Sequence, residues 1–132
     1  MKIVIETIPH DQQRYPTVGD YWYDKDGTLQ VRVSSFKNDL TNYSYEFLVA
    51  FHEIIEQKLT EKQGITEQDI TDFDIMYEKE REQGLHKDDE EPGFDPRAPY
   101  LDAHTYATAM EMNLCNKLGI DWNEYSKAVN SL

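Results

Sequence analysis

The sequence feature that most constrains the fold is an apolar helical pattern that also carries ionisable side chains. Residues three or four positions apart share one face of a helix, and the apolar positions on this face are Leu48, Phe51, Ile55 and Leu59. His52 falls inside the apolar arc, Glu56 lies on its flank, and Glu53 lies one step nearer to solvent. The pattern predicts a helix over residues 43–63, with several N-caps on offer between Asn38 and Ser44. This helix holds His52 and Glu56 together, one turn apart, at the edge of the core.

Strand signals precede this helix. The segment from Lys2 to Ile8 is rich in β-branched residues and is followed by Pro9. Asp26-Gly27 lies between the segments 21–23 and 29–33, and an Asp-Gly pair is a strong hairpin signal. We therefore predict a small antiparallel sheet of about three strands within residues 1–36.

Three more helices are predicted after the first. Thr66 has the spacing of a capping box with Asp69, so a second helix begins there and continues to about residue 82. A third helix is predicted over residues 100–118, after a proline and before a glycine. A fourth begins at Asp121, which has the same capping spacing to Glu124. Residues 43–82 and 100–132 thus each contain two helices.

Residues 83–99 connect these two helical pairs. The segment has no apolar periodicity and consists mostly of aspartate, glutamate, proline and glycine, which predicts an acidic loop. The twelve-residue spacing of an EF-hand is absent, so a connector is favoured over a calcium loop. At 132 residues the chain fits one domain. The predicted fold class is α+β, with the sheet first and the four helices after it.

Charge and cysteine content limit the classes of partner and compartment. The chain has 26 acidic and 13 basic residues, and its formal charge of -13 repels phosphate backbones and anionic lipids. Nucleic acid and membrane are therefore excluded as expected partners, whereas a peptide or a basic protein is favoured. Cys115 cannot form an internal disulfide, and no leader peptide opens the chain, so the expected location is cytoplasmic. The sequence gives no prediction of oligomeric state.

The run His52-Glu53-x-x-Glu56 indicates a metal site. It differs from the zinc-peptidase signature His-Glu-x-x-His only in the last ligand, and a carboxylate oxygen is an accepted zinc ligand. We predict that His52 and Glu56 bind the metal. Glu53, next to the first ligand, is placed to take a proton from water whose pKa the metal lowers.

The third ligand has to come from a later part of the chain. His104 on the third helix is the best candidate. Asp74 on the second helix and Glu111 on the third are further candidates, because both lie in or beside an apolar stripe, where a carboxylate needs a partner. The same side chains could also form a buried polar cluster without an ion, since histidine and carboxylate satisfy one another.

The order of elements together with the His52–Glu56 motif resembles that of small zincin-like metallopeptidases. In these enzymes antiparallel strands lead into the active-site helix, and a later helix or loop donates the third ligand. The resemblance covers residues 20–104. It implies a zincin-like fold, zinc as cofactor and a peptidase-like hydrolase activity.

A second resemblance is carried by short segments over nearly the whole chain: Ile8-Pro9-His10, Arg14 to Asp20, the His52-Glu53 helix, Phe73-Asp74, Glu91 to Pro96, Ala98-Pro99-Tyr100, His104 and Leu118 to Trp122. Together these segments are similar to a family of small phage and prophage proteins of unassigned function. The resemblance implies a bacteriophage-type origin and location in the cytoplasm of the host cell.

Three classes of function follow from these observations. The first is a metal-dependent hydrolase, peptidase-like, with zinc. The second is a non-catalytic phage accessory or interaction protein on a zincin-like scaffold, which binds a basic host protein through its acidic surface. The third is a magnesium-dependent nucleotide pyrophosphohydrolase that uses Glu53, Glu56, Glu78 and Glu82. The three strands predicted before the first helix argue against the third class, whose chemistry usually lies in a plain helical bundle.

Overall fold

The computed structural model describes residues 1–37 and 43–132 and confirms the α+β class. A three-stranded sheet is followed by four helices, and two short 3-10 helices lie in the connecting segments. The elements are β1 (Ile3–Ile8), a 3-10 helix (His10–Gln12), β2 (Gly19–Tyr23), β3 (Leu29–Ser34), α1 (Ser44–Lys62), α2 (Glu67–Glu82), a 3-10 helix (Pro92–Phe94), α3 (Leu101–Lys117) and α4 (Trp122–Asn130). The N-caps suggested for α1 at positions 38–42 lie outside the described residues.

The sheet is mixed, so the prediction of a purely antiparallel sheet is wrong. β2 and β3 form the predicted antiparallel hairpin, with Trp22 opposite Gln30. β1 instead pairs in parallel with the other edge of β3, with Ile5 opposite Val31. About twenty residues, including β2, separate β1 from β3, and a connection of this length permits the crossover that parallel pairing requires.

The start of α2 follows the sequence prediction in detail. The Thr66 side chain accepts a hydrogen bond from the backbone N–H of Asp69, and the Asp69 carboxylate accepts one from the backbone N–H of Thr66. This reciprocal capping box satisfies two backbone donors that the first turn of a helix leaves free.

Among the described residues, no helix combines the length and hydropathy needed to cross a bilayer.

α1 is the central helix, with the sheet on one side and α3 on another. Because the sheet and α3 cover α1 from two directions, the buried surface of α1 is wider than its apolar stripe. The main core contains Leu29, Val31, Val33, Phe36, Leu48, Val49, Ala50, Cys115 and Tyr125. On α1 the buried positions continue through His52, Glu56 and Gln57, whereas Phe51 and Ile55 stay partly exposed. The buried face of the helix therefore includes polar side chains as well as apolar ones.

The acidic segment 83–99 is fastened to α2. Phe73 and Tyr77 of α2 pack with Ala98 and Tyr100 in a second, smaller core. Nearby, the Arg97 guanidinium donates to both carboxylate oxygens of Glu80, at 2.9 and 2.7 Å. The segment is thus an ordered acidic loop that passes from the end of α2 to the start of α3.

Candidate metal centre

Three side chains meet in the space between α1 and α3. His52 and Glu56 lie one turn apart on α1, and His104 lies in the first turn of α3. Glu56 Oε2 is 2.8 Å from His104 Nδ1 and 3.2 Å from His52 Nε2, and the two nitrogens are 3.2 Å apart. All three residues are buried, with 7%, 6% and 9% of their surface exposed for His52, Glu56 and His104. Across residues 1–37 and 43–132, this is the group of histidine, cysteine and acidic side chains that could hold a metal ion.

The spacing of the three atoms suits a metal ion. Zinc is bound at about 2.0–2.1 Å by nitrogen and oxygen ligands, and tetrahedral geometry then separates neighbouring ligand atoms by roughly 3.3 Å. The observed separations of 2.8–3.2 Å need only a small expansion to reach this value. The donor set also fits, because two imidazoles and one carboxylate are common ligands of transition metals.

His52 is held from behind by a buried carboxylate. Its Nδ1 lies 2.8 Å from Glu111 Oε2, which leaves Nε2 to face Glu56 and His104. The Tyr125 hydroxyl of α4 donates to the other oxygen of Glu111. Glu111, predicted as a further ligand, therefore supports a ligand instead of joining the group. Histidine ligands of metals are usually oriented by a partner of this kind.

Glu56 has a second anchor on the sheet. The Tyr21 hydroxyl of β2 donates to Glu56 Oε1 at 3.2 Å, so Oε2 is the oxygen that points toward the imidazoles. The contact explains why β2 and α1 have to be packed together for the site to form. Sequence analysis did not single out Tyr21, because it is one of nine tyrosines and no local pattern distinguishes it.

His104 is held by the acidic loop. Its Nε2 lies 2.9 Å from Glu91 Oε2, and the Phe94 ring contacts its ring edge to face at a centroid distance of 4.6 Å. A Cβ atom at Gly93 would lie 2.4 Å from His104 Cγ, so only glycine allows the backbone to pass so close to the ring. Glu91 was not predicted from sequence, since it is one of several acids in the loop; the Pro92-Gly93 pair beside it was the available signal of a close approach.

Glu53 lies near the three candidate ligands but has a different environment. Its carboxylate packs against the backbone of β2, where a Cβ atom at Gly19 would lie 2.4 Å from Glu53 Oε1. In the described part of the chain it forms no hydrogen bond or ion pair. Burial, together with the negative charge of Glu56, raises the pKa of Glu53 to about 8.

The carboxylates around His52 and His104 favour the protonated form of both imidazoles. Burial opposes ionisation of His52, but hydrogen bonds with Glu111 and Glu56 outweigh it and raise the pKa of His52 to about 11. For His104, burial is likewise outweighed by Glu56 and Glu91, and its pKa rises to about 9. Burial disfavours the charged form of Glu56, yet bonds with His104 and His52 lower its pKa to about 2. The surrounding carboxylates therefore stabilise positive charge at this position.

Asp74, the remaining predicted candidate, is not part of the group. It lies on α2, where it accepts a hydrogen bond from the Tyr100 hydroxyl. Burial raises the pKa of Asp74 to about 6, although the Tyr100 hydrogen bond acts in the opposite direction. α2 turns its inner face toward the acidic loop and the start of α3, which keeps this carboxylate away from the ligand atoms.

The raised pKa of Asp74 predicts a pH-dependent stability change in Asp74→Asn. A folded-state pKa of about 6 against 3.8 for the unfolded chain means that the protonated carboxyl favours folding, and this contribution is lost as pH rises through 6. The asparagine variant, which stays neutral and can still accept from Tyr100, should be more stable than wild type at pH 8. The increase in the free energy of unfolding over wild type, measured by urea unfolding, should be about 1 kcal/mol larger at pH 8 than at pH 5. Asp72→Asn, on the exposed side of α2, is the control, and a destabilised Asp74→Asn at pH 8 would contradict the assignment.

No family model, curated protein or solved structure matches this chain. The resemblances to zincin-like metallopeptidases and to phage proteins therefore stay predictions.

Proposed function

We propose that the protein is a zinc-dependent hydrolase of peptide bonds. In this proposal His52 Nε2, Glu56 Oε2 and His104 Nδ1 bind the metal, and Glu53 is the general base. The observation that carries the proposal is the convergence of three buried ligand atoms within 3.2 Å of one another, beside a carboxylate that has no hydrogen-bond donor among the described residues.

A bound zinc ion supplies Lewis acidity, which polarises a carbonyl group and lowers the pKa of water. The protein supplies proton transfer. In this proposal Glu53, which follows the first ligand directly on α1, accepts a proton from the attacking water and returns it to the leaving amine. A cation nearby lowers the pKa of Glu53 from about 8, which keeps it ionised as a base near neutral pH.

Glu53, the residue next to the first ligand in the sequence, favours a hydrolase over an oxygenase. Two histidines and one carboxylate also bind iron in oxygenases, so the ligand set alone suits both metals. A carboxylate without a hydrogen-bond partner is suited to proton transfer, and Glu53 is such a group. A polypeptide substrate agrees with the formal charge of -13, which attracts basic chains and repels phosphate esters.

The magnesium-dependent alternative has less support from the geometry. It needs Glu53, Glu56, Glu78 and Glu82 to gather around one ion. Glu78 instead lies 3.7 Å from Arg81, and Glu82 is exposed to solvent. The group that could hold a metal contains only Glu56 from this set.

Zinc binding to wild type and to His52→Ala tests the metal site. Wild type, purified without chelators and dialysed against zinc, should retain one zinc ion per chain when measured by mass spectrometry of the metal. His52→Ala removes a ligand atom, so zinc affinity should fall by more than about 100-fold, beyond the 10–100-fold typical of losing a residue that only supports a ligand.

His86→Ala is the matched control for this experiment. His86 also contacts two carboxylates, Glu80 at 2.7 Å and Glu90 at 3.3 Å, but it lies outside the candidate group. Its loss should leave zinc affinity unchanged. The proposal fails if wild type takes up no zinc, or if the two alanine variants lose zinc to the same extent.

A further inference from the structure

We infer that Glu91 is a positioning residue that selects the nitrogen through which His104 binds metal. The inference rests on the proposed zinc site and assigns a role to the acidic loop. Glu91 Oε2 lies 2.9 Å from His104 Nε2, on the side of the ring opposite to the other ligand atoms. Among the described residues, Glu91 is the carboxylate that contacts this nitrogen.

The contact with Glu91 determines which nitrogen of the neutral His104 imidazole carries the proton. A neutral imidazole has one N–H group and one nitrogen with a free lone pair. If Nε2–H donates to Glu91, the lone pair is on Nδ1, which faces Glu56 and His52. The carboxylate also makes the imidazole a better electron donor to a metal.

The loop fixes the ring as well as its tautomer. Gly93 passes so close to the ring that a Cβ atom would clash with it, and Phe94 packs edge to face against it. Tyr100 contacts the ring from another side, at a centroid distance of 6.3 Å. A rotation that exchanged Nδ1 for Nε2 would have to displace this packing.

The two histidines are supported by different means. Glu111 behind His52 is buried and receives a further hydrogen bond from Tyr125. The Glu91 side chain is 48% exposed and belongs to a loop. Water therefore screens its interaction with His104 more strongly, and its removal should have a moderate effect, near the lower end of the 10–100-fold range typical of such partners.

Zinc affinity of Glu91→Ala and Glu90→Ala, measured by competition with a chelator of known affinity, tests the inference. Glu90 is the matched control: it is the preceding acid of the same loop, its side chain is 45% exposed, and its carboxylate contacts His86. Glu91→Ala should bind zinc about tenfold more weakly than wild type. The amide oxygen of Glu91→Gln still accepts a hydrogen bond, so the zinc affinity of this variant should lie between those of wild type and Glu91→Ala. Glu90→Ala should match wild type.

The tautomer of His104 gives a readout that a purely structural role would not change. Nitrogen-15 NMR of the zinc-bound wild type should show the metal on His104 Nδ1 and a hydrogen-bonded proton on Nε2 that exchanges slowly with water. In Glu91→Ala this proton should exchange faster, because the carboxylate that accepts it is gone. Equal affinity of the two alanine variants, or a proton on Nδ1 in wild type, would overturn the role of Glu91 while leaving the zinc site standing. A wild type that binds no zinc would overturn the proposed function and this inference together, and all variants would then behave alike.

Discussion

Glu53→Gln is expected to abolish peptide hydrolysis while zinc stays bound. Glutamine has the same shape as glutamate but cannot accept a proton, and general-base catalysis contributes about 10²–10⁴-fold to rate. Because Glu53 is not one of the three ligands, zinc content should remain at the wild-type level. Cleavage of a mixed peptide library followed by mass spectrometry, with metal analysis of the same samples, measures both quantities.

Glu61→Gln controls for the loss of a carboxylate from the same helix. Glu61 lies two turns further along α1, pairs with Lys58 at 2.8 Å and has a side chain that is 46% exposed. This variant should keep full activity. If Glu53→Gln is as active as Glu61→Gln, Glu53 is not the base. Zinc-bound wild type without any peptide cleavage would instead favour the predicted non-catalytic interaction protein.

Local patterns in the sequence were enough to place the helices. Capping residues such as Thr66 and Asp121 mark the starts of α2 and α4. The reciprocal capping box forms at Thr66, and at Asp121 the side chain accepts the hydrogen bond from the backbone N–H of Glu124. The Asp26-Gly27 hairpin was equally local. The position of β1 in the sheet is not determined by local residues. The residues that end a strand do not reveal which neighbour the strand pairs with after a long connection.

The same distinction applies to the site. His52 and Glu56 were found from their spacing, since a helix brings residues four apart onto one face. His104 joins His52 and Glu56 in the buried group, but its contact with Glu56 depends on the packing of α3 against α1. Asp74 lies in the apolar arc of α2 as His52 does in that of α1, yet α2 packs against Ala98 and Tyr100 and not against the group around Glu56. Helical periodicity gives the buried face of each helix and leaves open which helices face one another.

Glu56→Ala is expected to produce the largest loss of stability in the metal-free protein, about 3–5 kcal/mol. Glu56 lies between two buried imidazoles that face each other at 3.2 Å, and it is the carboxylate shared by both. Removing one member of a buried charged group leaves the others without compensation, which typically costs this amount. A domain is stable by only about 5–15 kcal/mol, so urea unfolding in the presence of a chelator should show the effect clearly.

Gln57→Ala separates the loss of charge compensation from the loss of buried volume. Gln57 follows Glu56 on α1 and is as buried, at 5% against 6% exposed, but its amide donates to the Tyr23 hydroxyl instead of contacting histidine. Its replacement should cost only about 1–2 kcal/mol, the range for a buried neutral hydrogen-bonding group. Zinc at 100 times its dissociation constant should stabilise Gln57→Ala, like wild type, by about 2.7 kcal/mol and should not stabilise Glu56→Ala. Equal losses in the two variants, or zinc stabilisation of Glu56→Ala, would mean that Glu56 neither balances the imidazoles nor binds the metal.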